Sequence, residues 1–199
     1  GDDDIFVLKL DPSGNYLWAR NMGGSARDTG VYIAIDSNGN ICATGIFNST
    51  ADFDPSQGID NRTSNGDLDV FITKFDSSGN YIWTKTFGGN GQEVGQGTAF
   101  DSGGNIYSLG SFNGTVDFDP SGEEVANLTS AGGKDMFISK FDPSGNYNPQ
   151  APYSFGNFSI STVLIKTAFS KSNDLISVAF EELKKKIVLV KIFGYAVAV

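Results

Sequence analysis

Histidine is absent from this 199-residue chain, and cysteine occurs once, at Cys42. A His/Cys zinc site and a Ser-His-Asp triad are therefore both excluded within these residues. A disulfide framework inside the chain is excluded as well. One repeat unit after Cys42 stands Tyr107, so the thiol is not a repeated ligand and reads as a small buried strand residue. Basic residues are also few, 14 against 23 acidic ones. The imbalance sits in residues 1–149, with 20 acidic and 8 basic side chains, whereas residues 150–199 hold 3 and 6. An acidic body argues against a nucleic-acid partner, because phosphate binding needs basic patches. It suits a solvated secreted surface, or one that attracts cations. No run is apolar for long enough to span a membrane.

What the chain has in quantity is glycine, 25 residues, and phenylalanine, 16. Both follow a repeat. Residues 4–16 read DIFVLKLDPSGNY, residues 69–81 read DVFITKFDSSGNY and residues 135–147 read DMFISKFDPSGNY. Self-similarity at a fixed period of about 65 residues marks a repeat architecture.

One unit contains four short strand candidates. In residues 5–10, Phe6, Leu8 and Leu10 alternate with Ile5, Val7 and Lys9. A turn follows at residues 11–15: Pro12 presets φ, Asp11 accepts a backbone N–H and Gly14 takes positive φ. Residues 16–21 form the return strand, which Gly23 and Gly24 are expected to break. Residues 31–35 are apolar on both faces, as a buried third strand would be. A second tight turn at 36–40 leads to the fourth strand, 41–47. The second unit keeps this order: Trp18 maps to Trp83, Gly23-Gly24 to Gly88-Gly89, and Phe47 to Phe112. Its third strand is less apolar, with Gly97 and Thr98 in place of Tyr32 and Ile33. The excursions 48–68 and 113–134 differ by one residue in length and are expected at the surface, where length variation is tolerated.

Four antiparallel strands per repeat with glycine-rich turns predict an all-β fold. The expectation is of consecutive four-stranded antiparallel β-propeller blades, a partial propeller, followed by a small β-rich C-terminal module. A β-solenoid is the alternative, although its coils are usually shorter and lack paired tight hairpins. The predicted organisation is repeats over residues 1–147 (units 4–68 and 69–134, and the start of a third at 135–147), a linker at 148–152 and a module at 153–199. Two units and a fraction cannot close a ring of about four to eight blades. The reading therefore expects more repeats on the N-terminal side.

The order D-x-F-hydrophobic-x-K-[LF]-D-x-S-G-N, an aromatic strand ending in Gly-Gly, then D-S-x-G-N resembles the bacterial SBBP-type β-propeller repeat over residues 1–147. The insert carrying Asp-Phe-Asp-Pro-Ser departs from that family's shorter unit. The resemblance implies a multi-bladed, secreted or surface-exposed protein and no particular enzyme activity.

The insert holds the clearest candidate site. Asp52-Phe53-Asp54 recurs as Asp117-Phe118-Asp119. In an extended segment Asp52 and Asp54 share one side, as do Asp117 and Asp119, and paired carboxylates are Ca²⁺ ligands. The competing reading makes Phe53 and Phe118 anchors and the aspartates turn caps. The DPSGN turns do not match an EF-hand, since glycine comes too early and the distal Glu is missing. Asn48, Asn61, Asn113, Asn127 and Asn157 head N-x-[ST] triplets, four of them in repeat-related pairs that read as copied turn chemistry. Glu93, Glu123 and Glu124 stand apart from any catalytic signal.

Past Tyr147 the pattern stops, and Pro149 and Pro152 frame a linker. Leu175, Val178, Ala179, Leu183 and Ile187 fit a helix face, while 160–165, 175–180 and 187–193 equally fit strands. The fragment GNFSI at 156–160, with LISV at 175–178 and KKI at 185–187, resembles the C-terminal sorting domain of type IX secretion cargo in the Bacteroidota, an Ig-like sandwich. The usual Y-P-N-P opening and L-G-[QK] turn are missing. The resemblance implies contact with outer-membrane secretion components through residues 153–199. The apolar run 192–199 calls for cover, by this fold or another chain.

Taken together, the sequence predicts a secreted or cell-surface bacterial protein. Its role is non-enzymatic binding or adhesion to an extracellular protein or glycan, with no cofactor required and Ca²⁺ as the one candidate ion. The alternative is a fragment of a secreted propeller enzyme acting on glycans or peptides, with its catalytic blades outside these residues.

Overall fold

The computed structural model describes residues 1–122 and 125–148, and beyond them the backbone of three short strands. The elements are β1 (Ile5–Leu10), β2 (Tyr16–Gly24), β3 (Thr29–Ile35), β4 (Ile41–Phe47), β5 (Thr50–Asp52), β6 (Asn61–Thr63), β7 (Asp69–Phe75) and β8 (Tyr81–Phe87). They continue as β9 (Val94–Phe100), β10 (Ile106–Asp117), β11 (Asn127–Phe141), β12 (Tyr153–Phe155), β13 (Ile176–Ser177) and β14 (Lys191–Ile192). No helix occurs among the described residues. The fold is all-β and antiparallel, in successive four-stranded sheets ordered β1-β2-β5-β6, β3-β4-β7-β8 and β12-β11-β10-β9.

That order corrects the reading of the repeat. The D-x-F-x-x-K strand opens each unit in sequence, but in its second and third copies it is the third strand of its sheet, paired with a strand from the unit before. Thus β7 pairs with β4 across Gly45↔Phe71, and β11 pairs with β10 across Gly110↔Phe137. Each blade is therefore half of one unit joined to half of the next. The third copy, at β11, completes a sheet begun at β9, and β12 adds that sheet's fourth strand. Residues 153–155 thus belong with the repeats, not with a separate module. Further on, β13 pairs with β14 across Ile176↔Ile192, which is the strand alternative at those four residues. The remaining features expected beyond residue 155, the sorting-domain segments at 156–160, 178 and 185–187 and the 192–199 run past β14, lie outside the described residues.

Burial of the three motif strands shows how the sheets stack. Strand β7 is buried along its whole length, with Phe71 and Phe75 packing toward the first sheet and Val70 and Ile72 toward the third. A strand buried on both faces reads as a continuous apolar run. Strand β11 buries only Phe137, Ser139 and Phe141 with Asp135, and β1 buries the opposite set, Ile5 and Val7. One motif takes three burial patterns because the middle sheet has a neighbour on each side and the outer two have one each.

Five turns of the form D-x-x-G-N join strands within the units. In each, the Asp Oδ1 accepts two backbone N–H groups and the Asn at the fifth position donates its Nδ2 to Oδ2, as Asn15 does to Asp11 at 2.8 Å. Glycine supplies the positive φ, 84° at Gly14 and 79° at Gly79. These turns also reach between sheets. The turn at Gly79 lies on the Trp18 ring, where an added Cβ would come within 2.7 Å of it. Arg20 Nε donates to Gly79 O at 2.7 Å and Lys9 Nζ to Ser77 O at 2.6 Å. One unit on, Lys74 Nζ and Trp83 Nε1 both donate to Pro143 O, and Gly145 lies on the Trp83 ring.

Candidate functional site

The inserts lie at the surface, as their length variation predicts, but they are built elements, each pinned by two buried residues, Ala51 and Phe53 in the first and Val116 and Phe118 in the second. In the first, β5 and β6 form a hairpin that turns away from the sheet of β4 and pairs with the end of β2, across Gly23↔Asp52 and Gly24↔Ala51. In the second, the extensions of β10 and β11 form the hairpin, and a bridge joins Gly89 to Val116. Gly23 and Gly24 accordingly continue β2 and do not break it. Their small size admits the hairpin, since a Cβ on Gly24 would sit 2.0 Å from Thr50 O and one on Gly89 2.3 Å from Thr115 O.

Phe53 and Phe118 lie fully buried at the hairpin bases. The Phe53 ring meets Phe47 edge-on at 5.3 Å and Phe71 at 5.2 Å. Phe118 meets Phe87, Phe112 and Phe137 at 5.2–5.3 Å. Each insert thus closes the seam between two sheets. Burying a phenylalanine contributes about 1.5–3 kcal/mol, and each aromatic pair adds roughly 0.5–1.5 kcal/mol.

The flanking carboxylates face backbone. Asp52 Oδ1 accepts the N–H groups of Asp54 and Asp60 at 3.0 and 2.9 Å, and Asp54 Oδ1 that of Ser56 at 2.9 Å. Asp117 Oδ1 accepts those of Asp119 and Ala126 at 3.0 and 2.8 Å, and Asp119 Oδ1 that of Ser121 at 2.9 Å. This is capping geometry. Among the described residues no group of three or more His, Cys, Asp or Glu side chains is placed to hold a metal ion. Tyr81 Oη donates to Asp60 Oδ2 at the first insert, and Tyr147, packed on Phe141 at 6.0 Å, is subject to the charges of Asp117 and Asp119 at the second. Burial first, and then these carboxylates, push both phenols up. Asp60 also holds Arg62 at 2.9 Å.

A second set of carboxylates escaped the sequence reading. Asp28 and Glu93 stand one unit apart, and both are fully buried. Asp28 Oδ2 accepts Gly24 N–H at 2.7 Å and its Oδ1 accepts Asn48 N–H at 3.3 Å. Glu93 repeats this with Gly89 at 2.7 Å and Asn113 at 3.4 Å. Each ties the Gly-Gly end of one sheet to the first residue of the next insert. Burial pushes both carboxyls above their ordinary range, and a second carboxylate nearby, Asp4 or Asp69, adds to it. Asp69, itself raised by burial, accepts Asn65 N–H at 3.0 Å through Oδ2, while its buried Oδ1 has no partner. The offset of 65 was the available signal, because it carries one carboxylate onto another. Cys42 is buried beside Thr98 Oγ1 at 3.4 Å, and burial pushes its thiol up to about 12, so it is held as an unreactive thiol.

A shallow, open cleft of about 330 Å³ lies where β1 and β3 begin, lined by residues that include Asp3, Phe6, Arg27 and Asp28.

No family model matches the chain. It is 30% identical over 174 residues to the regulatory protein FlaEY of Caulobacter vibrioides, covering 83% of this chain and 17% of that protein. It is 26% identical over 146 residues to an uncharacterized WD repeat-containing protein of Acanthamoeba polyphaga mimivirus, covering 71% of this chain and 10% of that protein. The chain therefore spans less than a fifth of either relative. A WD repeat relative and successive four-stranded antiparallel sheets agree on a repeat fold of the β-propeller type.

Proposed function

We propose that this chain is part of an SBBP-type β-propeller repeat protein, secreted or held at the outer surface of a bacterial cell, that binds an extracellular protein or glycan and does no covalent chemistry. One observation carries the reading. The polar groups that the structure organises recur one unit apart in the same structural duty: five D-x-x-G-N turns, two carboxylate ties and two capped inserts. Side chains engaged in building the repeat leave the outer face of the blades for recognition, and an acidic exterior suits a solvated surface. A regulatory protein and a WD repeat protein as relatives fit binding better than catalysis. In this reading residues 156–199 serve export through type IX secretion components or attachment at the surface.

Protease shaving of intact producing cells, followed by immunodetection of residues 1–147, tests the location. Loss of the signal supports it, and a signal protected until lysis refutes it. A glycan and surface-protein array probed with the full-length product tests binding. Hydrolysis of an arrayed glycan or peptide would replace this reading with that of a propeller enzyme.

A further inference from the structure

Asparagine followed by glycine can cyclise, because glycine has no Cβ to shield its backbone N–H. The chain holds four such pairs, Asn38-Gly39, Asn65-Gly66, Asn90-Gly91 and Asn113-Gly114. Ring closure needs two groups at liberty, the asparagine side-chain amide and the glycine N–H that attacks it. In three of the pairs the fold holds at least one of them. Gly39 N–H donates to Asp36 O at 3.0 Å inside its turn. Asn65 Nδ2 donates to Gly88 O at 3.2 Å. Asn113 Nδ2 donates to Gly133 O at 3.0 Å, and Gly114 N–H to Ser130 Oγ at 2.9 Å.

Asn90-Gly91 differs on both counts. Asn90 is exposed, and among the described residues neither its side chain nor the Gly91 N–H has a hydrogen-bond partner. Only the carbonyl side of the pair is held, where Gly91 O accepts Asp67 N–H at 3.4 Å. The pair is also peculiar to the second unit, since Ser25 and Ala26 stand at the matching positions of the first. It therefore has no share in the polar duties that recur one unit apart.

The loop that carries this pair is the one that Glu93 closes. Gly89 N–H donates to Glu93 Oε2 at 2.7 Å, and Asn90 and Gly91 lie between donor and acceptor. Gly91 is packed within the loop: a Cβ there would come 2.5 Å from Asn113 O and 3.3 Å from Glu93 Oε1. Extra main-chain length or a further carboxylate finds little room.

We propose that Asn90 is a site of spontaneous deamidation selected by the fold, and that its isoaspartate product opens the Glu93 tie of the second unit. Gly91 N attacks Asn90 Cγ, and a C–N bond forms. The side-chain amide C–N bond breaks, and ammonia leaves with the proton given up by Gly91 N. Water then opens the succinimide at either of its carbonyls, giving aspartate or isoaspartate. Isoaspartate routes the main chain through the side-chain carbons, which lengthens the loop between Gly89 and Glu93 by a methylene. It also leaves a carboxylate near buried Glu93, and like charges in a shared site repel. The inference is independent of the proposed binding role.

The test incubates the full chain at neutral pH, folded in buffer and unfolded in urea, and follows all four asparagines by peptide mapping and mass spectrometry. In the folded chain Asn90 should convert at least about fivefold faster than Asn38, Asn65 or Asn113, the factor that the net worth of one hydrogen bond imposes. In urea the four rates should converge. The isoaspartate form, separated by anion exchange, should show hydrogen exchange of Gly89 N–H quickened by at least about fivefold. Asn90→Gln, whose longer side chain closes only a larger and slower ring, should keep the exchange of the fresh parent after the same incubation. Those results support the inference. Conversion of Asn90 no faster than the other three in the folded chain overturns it, and so does an equal lead for Asn90 in urea. Unchanged Gly89 exchange in the isoaspartate form overturns the effect on the tie, as does quickened exchange in the incubated Asn90→Gln chain.

Discussion

Phenylalanine at the third position of the repeated motif gives an internal control. Phe6 and Phe71 occupy the same place in the same sequence context, yet Phe71 is fully buried and Phe6 is 73% exposed. Truncating a buried phenylalanine to alanine costs about 3–5 kcal/mol, from lost transfer free energy and the cavity left behind. Phe71 belongs toward the upper end, because its ring also packs on Phe53 at 5.2 Å, a pair contributing roughly 0.5–1.5 kcal/mol more. At Phe6 only about a quarter of the side chain is covered. Full burial contributes about 1.5–3 kcal/mol, so the loss there stays below ~0.8 kcal/mol. Phe71→Ala should therefore destabilise the chain by about 5 kcal/mol and Phe6→Ala by less than ~1 kcal/mol. Urea denaturation followed by tryptophan fluorescence measures both, since Trp18 and Trp83 each lie under an inter-sheet turn. Equal costs would refute the assignment, because burial, and not residue type, is what separates the two sites.

Asp117→Ala leaves the N–H groups of Asp119 and Ala126 without their acceptor and should cost about 1–3 kcal/mol, whereas Asp117→Asn, which retains the oxygen, should cost under ~1 kcal/mol. Melting with excess Ca²⁺ and with a chelator should coincide for both variants and the parent, and a chelator-sensitive parent would favour calcium over capping. Glu93 has a folded-state value raised above the ordinary 4.5. Its contribution is present below the unfolded value and is lost as pH rises through the folded one, so the parent should lose stability relative to Glu93→Gln as pH climbs from 4.5 toward neutrality. A parallel pair of pH–stability curves would refute the burial of Glu93. Gly24→Val should release the β5–β6 hairpin, read as accelerated exchange of its amides, because the new Cβ would sit 2.0 Å from Thr50 O.

The strands and turns were legible in the chain because alternation and D-x-x-G-N chemistry are local. The class of fold was legible too, since four short strands per unit leave few alternatives. The phase of the sheets was not, because the motif that opens the sequence unit has no local mark of its partner: β7 prefers β4 over β10 through contacts such as Gly45 against Phe71. The burial of residues 31–35 was misjudged for a related reason. An apolar strand reads as a covered one, but β3 is largely exposed because cover depends on another sheet being present. Length variation places the insert at the surface, where most of it lies; what it does not show is the anchor, Phe53, whose ring meets Phe47 and Phe71. At the aspartates the sequence admits metal binding and capping alike; the structure adds the backbone N–H groups within 3.0 Å of Asp52 and Asp117 Oδ1, which no local pattern marks.

The half-unit offset between sequence repeat and sheet bears on how such a chain is made and changed. During synthesis no sheet can close until the first hairpin of the following unit has emerged, so each repeat is kept waiting for its successor and the order of assembly is imposed by translation. At the level of the gene, loss or gain of a whole 65-residue block leaves each junction composed of the same two halves. Blade number can then drift by recombination without ever producing a blade whose strands were not already matched.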